Sequence, residues 1–358
     1  MTAPNWHHSR MQRSPAAIRS SRQLAYVAVA GGIVGVAMIA VNLYTAARLE
    51  GHILPSTPYA DVFSKLDDPV DILFALGDGQ AFVAVARDPT LSNLKAFRGV
   101  RGEAALRASR PLQGYLGWVF SAGHPQWAEE GVMIATAVGC SIAVLGCALL
   151  LRRRRQNPWL ALLVLELPGA LAGIRQLGPE GLGLGLVALA LVARDEDRPW
   201  ASVCLFALAG LARETYLLIP LVLAIRERRY LIPHVVWLAW TAVVWLRFGA
   251  WPPTVHLSGT RLLVLPFTGI ARALPRLQFW PMTIALMILV PVLVIAVINR
   301  RRKDPLTRFV VAYGVLSLFL NPVIWAWWAS LSRVLLPMTA FASIALLAPE
   351  MNEELARS

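Results

Sequence analysis

Two adjacent ionisable residues, Arg213-Glu214, interrupt Leu205–Ile225, a stretch otherwise apolar enough to lie in a bilayer. Charges at that depth are costly and seldom face lipid, so the pair marks a candidate functional site. Asp78 lies between two glycines in Gly77-Asp78-Gly79-Gln80, and Ala86-Arg87-Asp88-Pro89 comes shortly after. Arg107 and Arg110 stand at i and i+3 and share a face if their stretch is helical. Glu180 comes directly after Gly178-Pro179, and Arg333 precedes an apolar run. A positioned carboxylate can take a proton from a reacting group. Arginine presents a planar fork that suits phosphate oxygens.

Each residue also has a plainer reading. Asp78 can solvate a turn, and Asp88 can end a helix before Pro89. Arg107 and Arg110 can meet anionic headgroups, and Arg333 can snorkel to the interface. Arg213 and Glu214 would splay about 100° apart on a helix, so each pairs more easily with another element than with its neighbour. Convergence of these groups on one membrane side is what separates a site from scattered surface charge.

The elements that must position them are apolar. Hydrophobic residues make up 57% of the chain and charged residues 15%, with a mean hydropathy of +0.56. A soluble domain of 358 residues could not hide that much apolar surface, so lipid serves as solvent for much of it. The net charge of +13 sits in short runs between apolar segments: Arg152–Arg155, Arg226–Arg229 and Arg300–Lys303. That distribution sets membrane orientation and argues against nucleic acid as a partner. Cys140, Cys147 and Cys204 lie inside apolar segments and give no disulfide framework. The six histidines never cluster, which argues against a His-built metal site.

Apolar segments run at about 24–46, 131–151, 159–174, 180–193, 199–212, 215–225, 231–248, 282–299, 308–324 and 334–348. With a cytoplasmic N-terminus, an alternating path through these ten puts every basic run, and Arg194–Arg198, on the cytoplasmic side. The C-terminus then also lies inside. Tryptophans at the segment ends form an aromatic belt, and Gly31 and Gly35 form a close-packing notch in the first helix. Four segments, from 159–174 to 215–225, fall short of the roughly 20 residues needed to span hydrocarbon, which suggests two hairpins of partial-depth helices. The reading is an all-α polytopic bundle, residues 24–348, with tails at 1–23 and 349–358. A long extracytoplasmic loop, 47–130, carries ten of the 21 acids. Within it, Pro69–Ala86 reads as a helix lying in the membrane interface, and Leu262–Phe267 reads as an interfacial or re-entrant helix.

The order of motifs resembles a known family. Asp78-Gly79-Gln80, Ala86-Arg87-Asp88-Pro89, Arg107-x-x-Arg110-Pro111-Leu112 and Leu116-Gly117-Trp118 are similar to the first external loop of bacterial GT-C type membrane proteins. Those proteins belong to cell-surface glycopolymer formation and are related to polyprenyl-phosphate-mannose-dependent mannosyltransferases. Gly178-Pro179-Glu180, Leu211-Ala212-Arg213-Glu214-Thr215 and Ser332-Arg333-Val334-Leu335-Leu336-Pro337 resemble the later motifs in the same order. One departure is that Gly77, Ala81 and Val83 stand around the first motif where the family carries aromatics. That points to a different sugar or lipid contact, or to a member without catalysis.

The resemblance implies a GT-C-like fold and a plasma-membrane glycosyltransferase acting outside the cytoplasm. Its donor would be a polyprenyl-phosphate sugar, mannose first, and its acceptor a cell-envelope glycan or lipid. Asp78 would be the general base, with Asp88 its rival. Gln80, Arg87, Arg107, Arg110, Glu180, Arg213, Glu214 and Arg333 would bind substrate, the arginines taking the donor phosphate. The resemblance fixes no cofactor. A divalent cation, if used, would find its first ligands in Asp78, Asp88 and Glu180. The competing classes are a flippase for lipid-linked sugar and a non-catalytic assembly partner.

Overall fold

The computed structural model describes residues 15–49, 78–93, 97, 101–252, 256–257, 260–261, 263–276, 281–301 and 304–347. Among them the chain is a helical bundle with one two-stranded ribbon, in which His256–Leu257 pairs antiparallel with Thr260–Arg261. Four helices are long and apolar enough to cross a membrane: Ser21–Ala46, Pro125–Arg153, Arg228–Phe248 and Ile284–Arg301. Two bent pairs bring that number to six if each is one span. They are Pro158–Glu166 with Pro168–Arg175, bent by 63°, and Trp328–Val334 with Leu336–Leu347, bent by 58°. The sequence suggests about ten segments, and the remainder are shorter apolar helices such as Pro199–Ala212 and Pro305–Leu318.

The first helix, Pro15–Leu49, begins inside the stretch expected to be a tail. It packs along Ala128–Arg153 through its glycines. A Cβ on Gly31 would come within 2.7 Å of Val144, and one on Gly35 within 3.0 Å of Cys140. Small residues let two backbones approach closely where lipid offers no hydrophobic drive. Cys140 and Cys147 are buried in this seam as packing residues.

Two expectations for the loops need correction. The sequence suggests that Pro69–Ala86 lies in the interface; residues 69–77 fall outside the described residues, and the helix Gly79–Arg87 is buried along seven of its nine positions. It packs on Leu112–Phe120, where a Cβ on Gly114 would meet Val85 at 2.5 Å, so glycine opens the space that draws this helix inward. The sequence also suggests a helix over Leu262–Phe267. Leu262 lies outside the described residues, and residues 263–267 form no helix. Leu263 bridges Leu320 instead, Val264 N–H donates to Phe319 O (2.8 Å) and Phe267 N–H donates to Leu318 O (2.9 Å). Carbonyls at a helix end lack intrahelical partners, and this segment supplies donors to them.

The basic linkers meet at one end of the bundle. Arg153 pairs with Glu196, Arg154 holds Asp304 through two nitrogens (Nη2–Oδ1 2.8 Å), and Glu227 joins Arg194 (3.2 Å) to Arg229 (2.5 Å). Glu180–Asp195, 16 residues long, starts at the opposite end and finishes here. At about 1.5 Å per residue it holds the two ends roughly 24 Å apart. Exposed Trp127, Trp159, Trp200 and Trp327 suit a belt, whereas Trp325 is buried and donates from Nε1 to Ser317 O (3.1 Å).

Candidate functional site

At the end away from the basic linkers, four arginines and three carboxylates from widely separated segments meet. Asp78 is the turn residue that precedes Gly79–Arg87. Its Oδ2 accepts from Arg333 Nη2 (2.9 Å), its Oδ1 lies 3.4 Å from Arg107 Nε, and Arg110 Nη1 stands 3.8 Å away. Arg107 comes from the last turn of Arg101–Ala108. Arg110 sits in the junction Ser109-Arg110-Pro111, where Trp240 Nε1 from the Ile232–Phe248 helix donates to Ala108 O (2.9 Å). That bond satisfies one of the carbonyls orphaned at the helix end and fixes the corner that aims Arg110.

Glu180 opens its helix, and Oε1 accepts from Arg333 Nε (2.6 Å) and from Arg213 Nη1. Oε2 is buried with no hydrogen-bond partner among the described residues and lies over Gly173 and Gly178. Side chains there would collide with it, so two glycines make room for the carboxylate. Arg213 is extended (φ −160°, ψ 129°) at the break between Pro199–Ala212 and Glu214–Leu217. Arg213 therefore turns to Glu180, while Glu214 accepts from Arg110 Nε (2.7 Å) and Nη2 (2.6 Å). The pair does not pair with itself. The Arg110–Glu214 contact is the two-bond fork that gives such pairs their geometry.

Burial is graded across the cluster. Glu180, Arg333 and Arg213 form a floor with 0%, 5% and 6% of their side-chain surface exposed, while Asp78, Arg107 and Glu214 form a rim at 21%, 19% and 23%. Among the described residues, four guanidiniums against three carboxylates leave one positive charge unbalanced. Burial works against ionisation of Asp78, but Arg333, Arg107, Arg110 and Arg213 together outweigh it and hold its carboxyl well below the usual range.

Asp88 is elsewhere. It ends the nine-residue helix that Asp78 begins, about 15 Å away by helical rise. There its carboxylate accepts from Thr90 Oγ1 (2.6 Å), Ser92 Oγ (3.1 Å) and Asn93 N–H (2.5 Å). Burial opposes its ionisation, but those bonds together outweigh it and lower its pKa. This is the turn role, not a rival base. Arg87 also lies at that end, paired with Glu129 at 2.6 Å. Gln80 is partly exposed in the first turn beside Asp78.

Two contributors escaped the sequence reading. Gln176 Oε1 accepts from Arg333 Nη1, and Tyr216 donates its hydroxyl to Glu180 O (2.7 Å), pinning the break to the floor. Position alone could have raised them, since Gln176 lies in the Arg175–Glu180 tip and Tyr216 comes after Arg213-Glu214-Thr215.

The cation set does not assemble. Asp78 and Glu180 share Arg333, and Asp88 is turned into its own loop. Among the described residues, no group of three or more His, Cys, Asp or Glu is placed to hold a metal. What the cluster can do is hold an anion at the rim, by trading one of its carboxylates for the ligand. No family model, curated protein or solved structure matches the chain.

Proposed function

We propose that this is an integral membrane glycosyltransferase that moves a sugar, mannose first, from a polyprenyl-phosphate donor to a cell-envelope glycan or lipid acceptor. The observation that carries the reading is the meeting of the partly exposed Asp78 carboxylate with Arg107 and Arg110, from one stretch of the chain, and with Arg333 of the buried floor, 255 positions away.

A polyprenyl-phosphate sugar is a phosphodiester with one negative charge, which matches the one unbalanced positive charge of the cluster. The donor phosphate takes guanidinium donors from Arg107 and Arg110 and frees Asp78. An acceptor hydroxyl oxygen bonds to the anomeric carbon as the bond from that carbon to the phosphate oxygen breaks. Its proton goes to Asp78, and polyprenyl phosphate leaves carrying the electron pair. Fixed guanidiniums stabilise the charge that grows on the phosphate. Glu180 and Gln176 orient Arg333 and take no part in bond making. One base without a nucleophilic carboxylate predicts inversion at the anomeric carbon.

The ten-segment topology belongs to the same proposal. Arg153, Arg154, Arg194 and Arg229 share one end of the bundle, which supports a cytoplasmic face there, with the site on the outer side of a plasma membrane. A flippase would be expected to carry polar groups near the bilayer midplane, along a path to both faces. The ionic cluster at one end favours transfer. A non-catalytic partner has one observation in its favour: Glu180, Arg213 and Arg333 are interlocked as a structural ion cluster would be.

The deciding experiment is transfer of labelled sugar from polyprenyl-phosphate mannose by purified protein in lipid, comparing wild type with Asp78→Asn. Transfer that collapses in a folded variant supports the enzyme and its base. Equal transfer in both removes Asp78 from that role. Absence of transfer across a panel of polyprenyl-phosphate sugars and acceptors favours the assembly partner.

A further inference from the structure

An apolar groove of about 360 Å³ opens at the end of the bundle that carries the basic linkers, far from Asp78. It is walled by Leu151 at the close of Ala128–Arg153, by Leu160, Leu163 and Leu167 along residues 158–167, and by Ser343 and Leu347 of the last helix. Its size is that of a small-molecule site. Leu151 and Leu160 belong to two walls joined by a single turn, residues 152–157, which closes on itself through Gln156 N–H to Leu151 O (2.9 Å).

That turn is arginine-rich, and its arginines divide into two kinds. Arg153 and Arg154 are used by the fold, in ion pairs with Glu196 and Asp304. Arg152 and Arg155 are exposed and form no ion pair with the described residues. Arg155 holds a left-handed backbone (φ 59°), which a non-glycine residue adopts only at a cost. Two guanidiniums without an ion pair among the described residues thus belong to the turn that joins two walls of an apolar groove.

We infer that this groove binds an anionic phospholipid, with an acyl chain between Leu163 and Leu347 and the phosphate headgroup taken by Arg152 and Arg155. Charge selects the occupant. A zwitterionic lipid fills the groove equally well but leaves the two arginines without net compensation. The inference rests on membrane embedding and the groove alone, and it is independent of sugar transfer.

The test is lipid retention by the full chain in detergent, read by native mass spectrometry. The probes are phosphatidylglycerol and phosphatidylcholine with identical chains. With each basic residue near a membrane surface worth about 1 kcal/mol, the expected preference for phosphatidylglycerol is roughly 30-fold. Arg152→Gln with Arg155→Gln should abolish the preference while leaving phosphatidylcholine retention unchanged. Ser343→Phe, which fills the groove, should lower retention of both. Arg226→Gln with Arg228→Gln removes the same charge from the same end and should change neither. Equal retention of the two lipids overturns the inference, as does an equal loss in the Arg226/Arg228 control. Glycerol phosphate without chains should not compete; if it does, the site is one for free phosphate and the lipid assignment is wrong. Gel-filtration profiles matching wild type establish that each variant is folded.

Discussion

Arg333 reaches Asp78 across 255 positions of sequence, Nη2 to Oδ2 at 2.9 Å, while its Nε holds Glu180 at 2.6 Å. One buried guanidinium therefore couples the loop that carries Asp78 to the first turn of Glu180–Asp195. Removing one partner of a buried pair leaves the other charge uncompensated, at about 3–5 kcal/mol. Arg333→Met is expected to lose stability on that scale, because Arg213 alone then faces Glu180 on the floor. Adding Glu180→Met should recover part of the loss, and the double-mutant cycle should give a coupling above about 1 kcal/mol. Thermal unfolding in one fixed detergent measures it; additive losses would show the pair to be uncoupled.

The charges around Asp78 should set the acid limb of the proposed transfer. Burial favours the neutral acid, yet Arg333, Arg107, Arg110 and Arg213 prevail, so the folded pKa lies below the unfolded value of about 3.9. A depressed carboxyl contributes stability above its unfolded pKa and loses it as pH falls through the folded one. Wild type should therefore hold its stability down to about pH 4 and lose it below. Asp78→Asn should be less stable at neutral pH and show a shallower acid slope. In the proposed reaction, donor phosphate would compete for the same arginines and raise the pKa of Asp78. The acid limb of kcat, which reports the bound enzyme, should then lie at higher pH than that of kcat/KM. Coincident limbs would separate phosphate binding from Asp78.

The helix Gly79–Arg87 owes its position to glycine on its neighbour. A Cβ at position 114 would stand 2.5 Å from Val85 Cβ and 2.9 Å from Phe82 O. The carbonyl belongs to a backbone that cannot yield, so Gly114→Ala should cost about 1–3 kcal/mol. Because Asp78 heads the displaced helix, transfer should fall further than stability alone explains. Gly123→Ala offers the contrast: it is strained by its left-handed φ of 76° but lies away from that seam. It should lose stability while keeping the transfer rate of the folded fraction.

What was legible in the sequence was the apolar framework and the oddity of charges within it. Arg213-Glu214 announced itself because a bilayer penalises such pairs, whereas its separate pairing comes from an extended Arg213 at a break and not from the helical splay the sequence suggests. The roles of Arg107, Arg110 and Arg333 as one set needed the fold, since no local pattern places residue 333 beside residue 78. Asp88 misled because a carboxylate before proline looks alike whether it caps a turn or takes a proton; Thr90, Ser92 and Asn93 were the signal for the turn. The Leu263 stretch misled because apolar residues satisfy a bridge to Leu320 as readily as a helix. Composition reports burial and leaves the hydrogen-bond partner to be found.

Orientation can be settled by chemistry at two surface positions. Ser92 lies on the loop that carries Asp78, and Arg198, with 72% of its side chain exposed, lies among the linkers joined by Glu196 and Glu227. The proposed topology puts the basic end in the cytoplasm, because retained loops carry the arginines under the positive-inside rule. In a Cys204→Ser background, Cys140 and Cys147 stay silent, since both are buried in the helix seam and structural cysteines in such surroundings are inert. A membrane-impermeant maleimide added to intact cells should then label Ser92→Cys and spare Arg198→Cys, and the Arg198→Cys thiol should react once the membrane is opened. The reverse pattern would invert the topology and move the arginine–carboxylate cluster to the cytoplasmic face. A polyprenyl-phosphate donor presented outside could not reach it there, so the proposed reaction would fall with the orientation.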